Sequence, residues 1–567
     1  MENFRFFLLA LLVTLSYALW QNWQLDYNEE YRKSLYPQQM PEQAVSTSDQ
    51  TTQQAFVENE VPDRAEANFL SEDNVQDKTL VAVNMDNAHQ RIQVSTDVYY
   101  LEIDSTGGDI RLLELLNYPK TKKDPNVPMR ILDDTGDGGL FVAQNGLIGT
   151  ANSVAPTHRD QFKALAATYT LAEDKDFIDV PLIWTAPSGI KVTKTYRFHR
   201  GSYEISVEQV ITNNTARTWT GQEYVQLQRT GLREEDKSFF VRSFTGAVIY
   251  TEEDKYQKLK FEDLEDESVN VSTKAGWVAM IQHYFLAAWV PPAEQVVRFY
   301  SKALKNGRYI IGIVIPSNTI EVQPGATATL QSKLVVGPKI QKDLEAIAPG
   351  LELTVDFGIL TFIAKPIFWL LNFFHQQDWI NNWGIAIILV TFSIKALFFK
   401  LSEKSYKSMA RMRKLQPKLE TLREKFGDDK QRMNMEIMQL YKREKVNPLG
   451  GCLPVLVQIP VFISLYWVLL ESVELRQAPF ILWIQDLSSR DPYFILPLLM
   501  GISMFIQQKL NPTPVDPVQQ QIMRLFPVIF TIFFAFFPAG LVLYWVVNNT
   551  LSILQQWYIT RQIEKAG

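Results

Sequence analysis

Long apolar stretches dominate the chain from residue 357 onwards, and this feature constrains the fold more than any other. A bilayer offers no water to backbone N–H and C=O groups, so a stretch that crosses it must form a helix or part of a closed barrel. A helix needs about 20 apolar residues to cross the hydrocarbon core. The N-terminal apolar stretch, residues 4–20, predicts an uncleaved membrane anchor. The alternative is a cleaved signal peptide. The sequence predicts six spans, at 4–20, 381–400, 452–470, 493–506, 522–537 and 541–559.

The distribution of charge orients these spans. The loop 401–447 holds 13 Lys and Arg against 7 Asp and Glu, and basic loops remain in the cytoplasm. Both termini are then cytoplasmic, and the region before residue 350 lies outside. The apolar segment 357–374 carries Lys365 and Pro366 near its centre. If this segment crossed the membrane, the basic loop 401–447 would lie outside. We therefore expect a helix lying in the membrane interface.

The outer region contains a tether and a folded domain. Residues 24–78 are polar and rich in Gln, Glu, Asp, Ser and Thr, which is typical of a flexible linker. From residue 79, short runs alternate between apolar and polar side chains and are separated by turn residues. This pattern predicts a large antiparallel β-sandwich. The clearest runs are Val98–Ile103, Val192–Phe198, Tyr203–Val210 and Arg308–Val314.

Composition argues against cofactor chemistry. The single cysteine, Cys452, has no partner for an internal disulfide. The five histidines are scattered without the spacing of metal ligands. Isolated glycine pairs indicate turns rather than a phosphate-binding loop. We therefore expect no cofactor, no metal, no catalysis and no DNA partner.

Lys395 lies within the otherwise apolar stretch Trp383–Phe399. A charge at such depth costs roughly 2.5–3.5 kcal/mol on insertion scales, so an intramembrane lysine suggests a functional site. The alternative is structural. Lys395 lies five residues before Lys400, so its long side chain could extend to the nearer interface.

Other polar side chains fall within the predicted spans. Thr391 lies four residues before Lys395 and shares its helix face. Gln458 lies between two prolines in the third span. The last span carries a stripe at helical spacing, formed by Trp545, Asn549, Ser552 and Gln556. Each could make an ordinary interhelical hydrogen bond. Together with a lysine, they favour a water-accessible groove.

The loop 401–447 predicts a helical hairpin. Apolar residues recur at helical spacing over Lys404–Phe426 and again over Met433–Tyr441. Between these segments, Gly427 and the aspartates that follow it predict a turn and a helix cap. The methionines of the hairpin are either core residues or an adaptable surface for varied apolar partners.

Several sequence tracts resemble the YidC family of membrane protein insertases from Gram-negative bacteria. They are Lys445–Pro460 (KVNPLGGCLPVLVQIP), Ser472–Phe480 (SVELRQAPF), Asp491–Pro497 (DPYFILP) and Phe537–Trp545 (FPAGLVLYW). The architecture also agrees over essentially the whole chain. The resemblance divides it into an anchor (1–23), a linker (24–78), a periplasmic domain (79–350), an interfacial helix (351–377), a second span (378–400), a cytoplasmic hairpin (401–447) and spans three to six with the tail (448–567).

The resemblance implies a multi-pass protein of the bacterial inner membrane that inserts and folds nascent inner-membrane proteins, alone or with the Sec translocon. It implies an all-β supersandwich like galactose mutarotase outside, and a hydrophilic groove within a five-span helical core. Lys395 stands where the family frequently has arginine, and Trp545 matches a position linked to substrate contact. We expect Thr391, Gln458 and Asn549 to line the groove as well, because of the helix faces on which they lie. Membrane lipids are further partners, and ribosome or signal recognition particle contact would involve 401–447.

Two other functions fit parts of the pattern. A secondary transporter would suit a charge at the midplane and broken spans, although the five-span core shows no inverted repeat. A sugar-binding receptor or assembly factor would place the activity in the outer β-domain. Solute flux tests the first interpretation, and sugar titration tests the second.

Overall fold

The computed structural model describes residues 90–135, 139–150, 153–231, 243–293, 295–304, 307–426, 429–444, 446, 453–511 and 517–565. The predicted anchor (1–23) and linker (24–78) lie outside the described residues. The described chain first forms β-strands and then helices, in the order expected from its sequence pattern.

The β-strands occupy the first part of the described chain. They are β1 Arg91–Ser95, β2 Tyr99–Asp104, β3 Asp109–Pro119, β4 Pro128–Leu132, β5 Phe141–Gly149, β6 Lys163–Ala164, β7 Thr168–Thr170, β8 Phe177–Thr185, β9 Ile190–His199, β10 Glu204–Asn213, β11 Trp219–Thr230, β12 Gly246–Thr251, β13 Lys255–Leu259, β14 Asn270–Lys274, β15 Trp277–Ile281, β16 Phe285–Val290, β17 Val296–Leu304, β18 Arg308–Val322 and β19 Thr327–Pro338.

Within the described residues these strands build two large sheets. The first has the order β14-β17-β18-β11-β5-β3-β2-β1-β7, with β4 paired to β3. The second has the order β13-β12-β15-β16-β19-β10-β9-β8-β6. Almost all neighbours are antiparallel, and the β1–β7 pair is parallel. The large β-rich domain predicted from the alternating pattern is therefore confirmed.

The two sheets share one hydrophobic core. Alternate residues along β9 and β10 are buried, because successive side chains in a strand point to opposite faces. Ile103 and Leu113 of the first sheet and Val207 of the second are fully or almost fully buried in the same cluster. The Tyr99 hydroxyl also donates to the Val336 carbonyl of the other sheet at 2.6 Å. This face-to-face packing defines a β-sandwich.

Helices follow the sandwich, apart from one short helix, α1, within it. They are α1 Asp263–Asp266, α2 Gln341–Ile347, α3 Thr361–His375, α4 Trp383–Leu397, α5 Phe399–Lys414, α6 Gln416–Phe426, α7 Lys430–Arg443, α8 Leu453–Glu471, α9 Ile495–Leu510, α10 Pro517–Phe534 and α11 Ala539–Lys565. A second hydrophobic core joins this part through fully buried side chains, which include Leu371, Ile387, Leu465, Met500 and Val542.

Helix length and composition alone leave the number of membrane spans open. Among the described residues, Gly358–His375 is long and apolar enough to cross a bilayer, although the sequence predicts that it lies in the interface. Helices α4 and α5 pass the same test only as a pair bent by 68°. Three other apolar helical segments are shorter: Val457–Glu471, Ile495–Leu510 and Gln520–Phe534. The six-span topology therefore stays a prediction.

The segment 401–447 contains two short helices that pack together. Helices α6 and α7 meet through Leu419, Ile437 and Leu440, and Asp429 caps α7 by accepting the Arg432 N–H at 2.9 Å. The single helix predicted over 404–426 is wrong, because the chain breaks at Leu415 between α5 and α6. Pro417 explains the break, since proline lacks an N–H and its ring disfavours helix before it.

Candidate functional site

Lys395 reaches from α4 to the last helix. Its Nζ donates a hydrogen bond to the Ser552 Oγ of α11 at 2.6 Å. Ser552 is 3% exposed, and Lys395 is only partly exposed. The ammonium is therefore held against α11 in this structure, and is not extended along α4 toward Lys400. An ammonium packed between apolar helices needs such a partner to offset the loss of water.

A second polar pair lies one helical turn away on α11. Gln458 of α8 donates through Nε2 to Asn548 Oδ1 at 2.6 Å. Asn548 is buried and lies four residues before Ser552, so both project from one face of α11. The sequence interpretation missed Asn548, although its spacing from Ser552 was a usable signal. We refer to Lys395, Gln458, Asn548 and Ser552 as the polar cluster.

Thr391 is buried close to this cluster but has a different partner. Its Oγ1 donates to the Ile387 carbonyl of its own helix at 2.7 Å, and its exposed fraction is 1%. A hydroxyl bonded to the preceding turn is satisfied within the helix. The structure therefore places Thr391 on the buried face of α4, and its role in a groove stays a prediction.

Asn549 and Gln556 face a different neighbour from Ser552. The Asn549 side chain donates to Ser503 Oγ of α9 at 3.1 Å. Gln556 donates to the Leu510 carbonyl and to Asn511 Oδ1, both at 3.1 Å. The stripe predicted along α11 is thus divided between two faces. One face contacts Lys395, and the other contacts α9 and the residue that follows it.

Trp545 lies among aromatic side chains. Its ring centroid is 5.0 Å from that of Phe462 and 5.8 Å from that of Phe534. Its Nε1 is buried and has no hydrogen-bond partner among the described residues. A buried indole usually finds an acceptor for its N–H group, so the Trp545 N–H is an exception among the described residues.

The described residues form a small crevice beside the polar cluster. Lys395, Phe398, Ser402 and Gln458 contribute to a crevice of about 10 Å³ between α4, α5 and α8. That volume accommodates about one water molecule. A polypeptide segment is much larger than this crevice, so its entry there would require the helices to separate.

A compact loop, 472–494, gathers the helix ends opposite the polar cluster. Asn382, at the start of α4, donates to the Phe480 carbonyl at 2.9 Å. The N–H groups of Ala539 and Gly540, at the start of α11, donate to this loop at 2.7 Å and 2.9 Å. Asp491 accepts the Leu496 N–H of α9 at 2.7 Å. This loop closes one end of the helical part.

The same end of the helical part is joined to the sandwich. His283 donates through Nε2 to the Leu470 carbonyl of α8 at 2.8 Å. Lys339 Nζ lies 3.7 Å from Glu471 Oε2, and both side chains are buried. Val473 packs into the core of the sandwich itself. We refer to these contacts of His283, Lys339, Leu470, Glu471 and Val473 as the seam.

The seam shifts the protonation of its sandwich residues. Burial lowers the pKa of His283 to about 4, and the nearby Lys339 charge adds to this effect. Burial also lowers the pKa of Lys339 to about 8, against the opposing influence of Glu471. His283 is therefore neutral near pH 7, which leaves its Nε2–H available to the Leu470 carbonyl.

The sandwich carries a larger cavity of about 900 Å³ on the second sheet. Tyr250 and Trp277 stack on one wall, with ring centroids 5.8 Å apart. Charged side chains of both signs, such as Arg197 and Glu208, line the rest. Among the described residues, no group of three His, Cys, Asp or Glu side chains is arranged to hold a metal ion.

The chain folds into a two-sheet sandwich followed by apolar helices that surround a lysine and its polar partners. This combination is typical of membrane proteins that have a folded domain outside the bilayer and a polar site between helices.

Comparison with known proteins specifies the family. A family model described as the YidC periplasmic domain matches residues 91–370, and one described as the 60Kd inner membrane protein matches residues 374–566. The chain belongs to the YidC family of membrane protein insertases.

Individual relatives match over the whole chain. Membrane protein insertase YidC of Methylococcus capsulatus is 54% identical over 568 residues, covering 100% of this chain and 99% of that protein. The protein of the same name from Nitrosococcus oceani is 50% identical, covering 100% of both chains. A crystal structure of an active YidC insertase with its first transmembrane domain resolved aligns with a TM-score of 0.37 and 16% identity, over 83% of this chain and 93% of that one.

Proposed function

We propose that this chain inserts newly made proteins into the bacterial inner membrane and that the polar cluster receives the polar segment that must cross. The observation that carries the proposal is the Lys395 ammonium, held against Ser552 between apolar helices. The insertase names of relatives that match over their whole length support it. The process we describe binds and releases its substrate without making or breaking covalent bonds, so the chain is not an enzyme.

The mechanism follows from the cost of moving polar groups through lipid. Partway across the bilayer, a short hydrophilic segment of the substrate meets the positive charge and the hydrogen-bonding groups of the polar cluster. The apolar distance that this segment still has to cross is then shorter. Coulomb attraction between Lys395 and an acidic residue of the substrate is stronger here than in water. The Trp545 N–H is buried and unpaired among the described residues, so it would donate to the passing backbone only after the helices separate. Partition of the substrate's apolar helix into lipid, about 25 cal/mol per Å² of apolar surface, drives the process without ATP.

The proposed orientation is supported by the seam. If the sandwich is periplasmic, then the end of α8 at Glu471 and the starts of α4 and α11 lie at the periplasmic side, because loop 472–494 joins them. Helix α3 then has both ends near that side. Asp356, just before it, pairs with Lys258 of the sandwich, and His375 at its end stacks on Trp383 at 3.8 Å. This arrangement favours an interfacial helix over a span.

The proposed cytoplasmic partners meet the segment 401–447. Met435 and Met438 of α7 are 55% and 43% exposed, which favours an adaptable apolar surface over a methionine core. The basic residues around them suit contact with a ribosome or with signal recognition particle. We propose cooperation with the Sec translocon as an additional mode of action, which is tested by comparing insertion with and without the translocon.

A matched pair of substrates tests the role of the charge. In liposomes containing this protein, Lys395→Ala should lower insertion of a substrate with an acidic outer segment about tenfold, equivalent to about 1.4 kcal/mol of lost attraction. The same substrate with a neutral outer segment should be much less affected. Lys400→Ala, at an exposed position, is the control. Equal insertion of the acidic substrate by Lys395→Ala and the unmodified chain would contradict the charge role.

A second candidate activity rests on the 900 Å³ cavity of the sandwich. Stacked aromatic walls with polar rims are suitable for carbohydrate binding. Isothermal titration of the full chain with neutral monosaccharides tests it. Heat that disappears in Trp277→Ala would support a sugar-binding role, and no heat at millimolar sugar would exclude it.

A further inference from the structure

Gln458 and Asn548 form a hydrogen-bonded pair of side-chain amides between two apolar helices. Gln458 of α8 donates through Nε2 to Asn548 Oδ1 of α11 at 2.6 Å. Asn548 is 4% exposed, while Gln458 is half-buried and also lines the crevice beside Lys395. A side-chain amide carries a carbonyl acceptor and N–H donors, which are the hydrogen-bonding groups of a peptide unit. We refer to Gln458 and Asn548 as the amide pair.

Helix α8 has a weak point close to the amide pair. Pro460 lies inside α8, and a proline in a helix removes one backbone hydrogen bond and favours a kink. The end of α8 beyond Pro460 is fixed to the sandwich by the seam, where Glu471 lies against Lys339. Gln458 lies on the other side of Pro460. The part of α8 that carries Gln458 can therefore move away from α11 while the part at the seam stays in place.

We propose that the amide pair binds the peptide backbone of the substrate segment that crosses, whereas Lys395 binds its acidic side chains. The inference rests on the proposed insertase function and names the chemistry that each part of the same site recognises. When the helices separate, Gln458 offers an N–H to a substrate carbonyl, and Asn548 offers a carbonyl to a substrate N–H. Every residue except proline carries both backbone groups, so this binding does not depend on the sequence of the segment.

The exchange of partners keeps the free-energy cost of opening low. Separation of the amide pair breaks one neutral hydrogen bond, and binding of the substrate backbone makes two. A polar group left without a partner between apolar helices costs more free energy than a typical hydrogen bond contributes. The amide pair therefore offsets its own separation and removes this cost from two backbone groups of the substrate.

Stability measurements show what a purely structural pair would do. Gln458→Met or Asn548→Leu alone leaves the other amide without its partner, which should lower the thermal unfolding temperature in detergent. The double variant has apolar side chains at both positions and should regain most of that stability, because replacing both partners is nearly neutral. If the pair only joined the two helices, insertion would follow stability and recover in the double variant.

Backbone binding predicts the opposite order for insertion. Protease protection in liposomes is measured for two substrates that differ only in an acidic or a neutral outer segment. Each single variant keeps one amide for the substrate, so its insertion should lie between those of the unmodified chain and the double variant. The double variant should insert both substrates at least about tenfold less, the combined factor for two neutral hydrogen bonds. Recovery of insertion in the double variant would overturn the inference.

Two further variants complete the comparison. Gln458→Asn combined with Asn548→Gln exchanges the two amides and should retain both stability and insertion. Insertion as low as in the double variant would count against backbone binding. Gln555→Met is the matched control, because Gln555 donates from α11 to the Phe399 carbonyl of α5 at 3.3 Å, outside the polar cluster. It should retain insertion of both substrates.

A chemical change in the substrate tests the backbone contact directly. A synthetic single-span substrate is prepared with a neutral outer segment whose backbone nitrogens are either native or N-methylated. A methylated nitrogen has no proton to donate, so it gains nothing from the Asn548 carbonyl. The loss of insertion caused by the double variant should be severalfold smaller for the methylated substrate. An equal loss for both forms would contradict a contact with the backbone.

The two levels of the proposal fail differently. If the unmodified chain inserts neither substrate above empty liposomes, the insertase function itself is contradicted. If it inserts both, and the double variant of the amide pair inserts them equally well, only the inference about the amide pair is wrong.

Discussion

His283 illustrates how one residue can connect the two parts of the molecule. Its Nε2–H donates to the Leu470 carbonyl at the end of α8, and its ring stacks on Tyr284 at a centroid distance of 3.8 Å. A protonated ring would be poorly solvated there and would face Lys339, so burial and charge both favour the neutral form. At this scale the seam predicts a dependence of stability on pH.

We expect His283 to destabilise the folded protein in acid. Its folded pKa is lowered to about 4, while the unfolded residue titrates near 6.5. Between these values the unfolded chain binds more protons, so the stabilisation is full above about pH 6.5 and is lost as pH falls toward 4. The shift is equivalent to about 3 kcal/mol of unfolding free energy.

The measurement compares variants because two carboxyl groups act in the opposite direction. Burial raises the pKa of Glu471 and of Glu474 to about 7, so their protonation favours the folded state as pH falls. His283→Gln keeps a donor for Leu470 but does not titrate. Thermal unfolding in detergent at pH 7 and pH 5 should show a larger acid loss for the unmodified chain than for His283→Gln. Identical pH dependence would contradict the buried neutral histidine.

At the scale of elements, the seam fixes α8 to the sandwich. Helix α8 ends at Glu471 beside Lys339, and the next turn places Val473 in the sandwich core. Arg476 then donates to the carbonyls of Pro119 and Lys120 at 2.8 Å and 3.1 Å. Because α8 also carries Gln458 of the polar cluster, the sandwich and the cluster share a structural element.

A double-mutant cycle tests the buried pair in the seam. Lys339→Met or Glu471→Leu alone leaves an uncompensated buried charge and should lower unfolding free energy by roughly 3–5 kcal/mol. The double variant replaces both charges with apolar side chains and should be close to the unmodified chain. Denaturant unfolding followed by circular dichroism provides the values. Single effects that simply add in the double variant would show that the two residues do not interact.

The limits of prediction are clearest for the helices. Pro417 was a usable signal for the break between α5 and α6, and the spacing of Leu419 and Leu440 correctly indicated helices. The bend after α4 had no such signal, since Phe398 is neither proline nor glycine. The partners of Lys395 and Gln458 lie 157 and 90 residues away. Helical periodicity identifies a face but not the helix that it meets.

For the whole molecule, the alternating pattern predicted the sandwich and its strands well. The run at Val192–Phe198 falls within β9, Tyr203–Val210 begins one residue before β10, and Arg308–Val314 begins β18. Period-two alternation reports burial of one face, which is a local property. Strand order is not local. The pairings of β10 with β19 and of β11 with β18 join distant segments, and no short-range pattern determines them.

The asymmetry of charge also belongs to the whole molecule. Residues 1–350 hold 34 Lys and Arg against 46 Asp and Glu, while residues 351–567 hold 22 against 16. An acidic domain outside and a basic loop inside agree with the proposed orientation. In that proposed orientation, the polar cluster would lie between a periplasmic domain joined to the helices by the seam and a basic cytoplasmic segment.

We propose that this chain inserts proteins by means of a charged polar cluster between its helices. The most direct measurement reconstitutes the purified full chain in liposomes and synthesises a small two-span membrane protein beside it. We predict protease protection of the product only when this protein is present, and a loss of protection with Lys395→Glu. Protection equal to that of empty liposomes, or full protection with Lys395→Glu, would contradict the account.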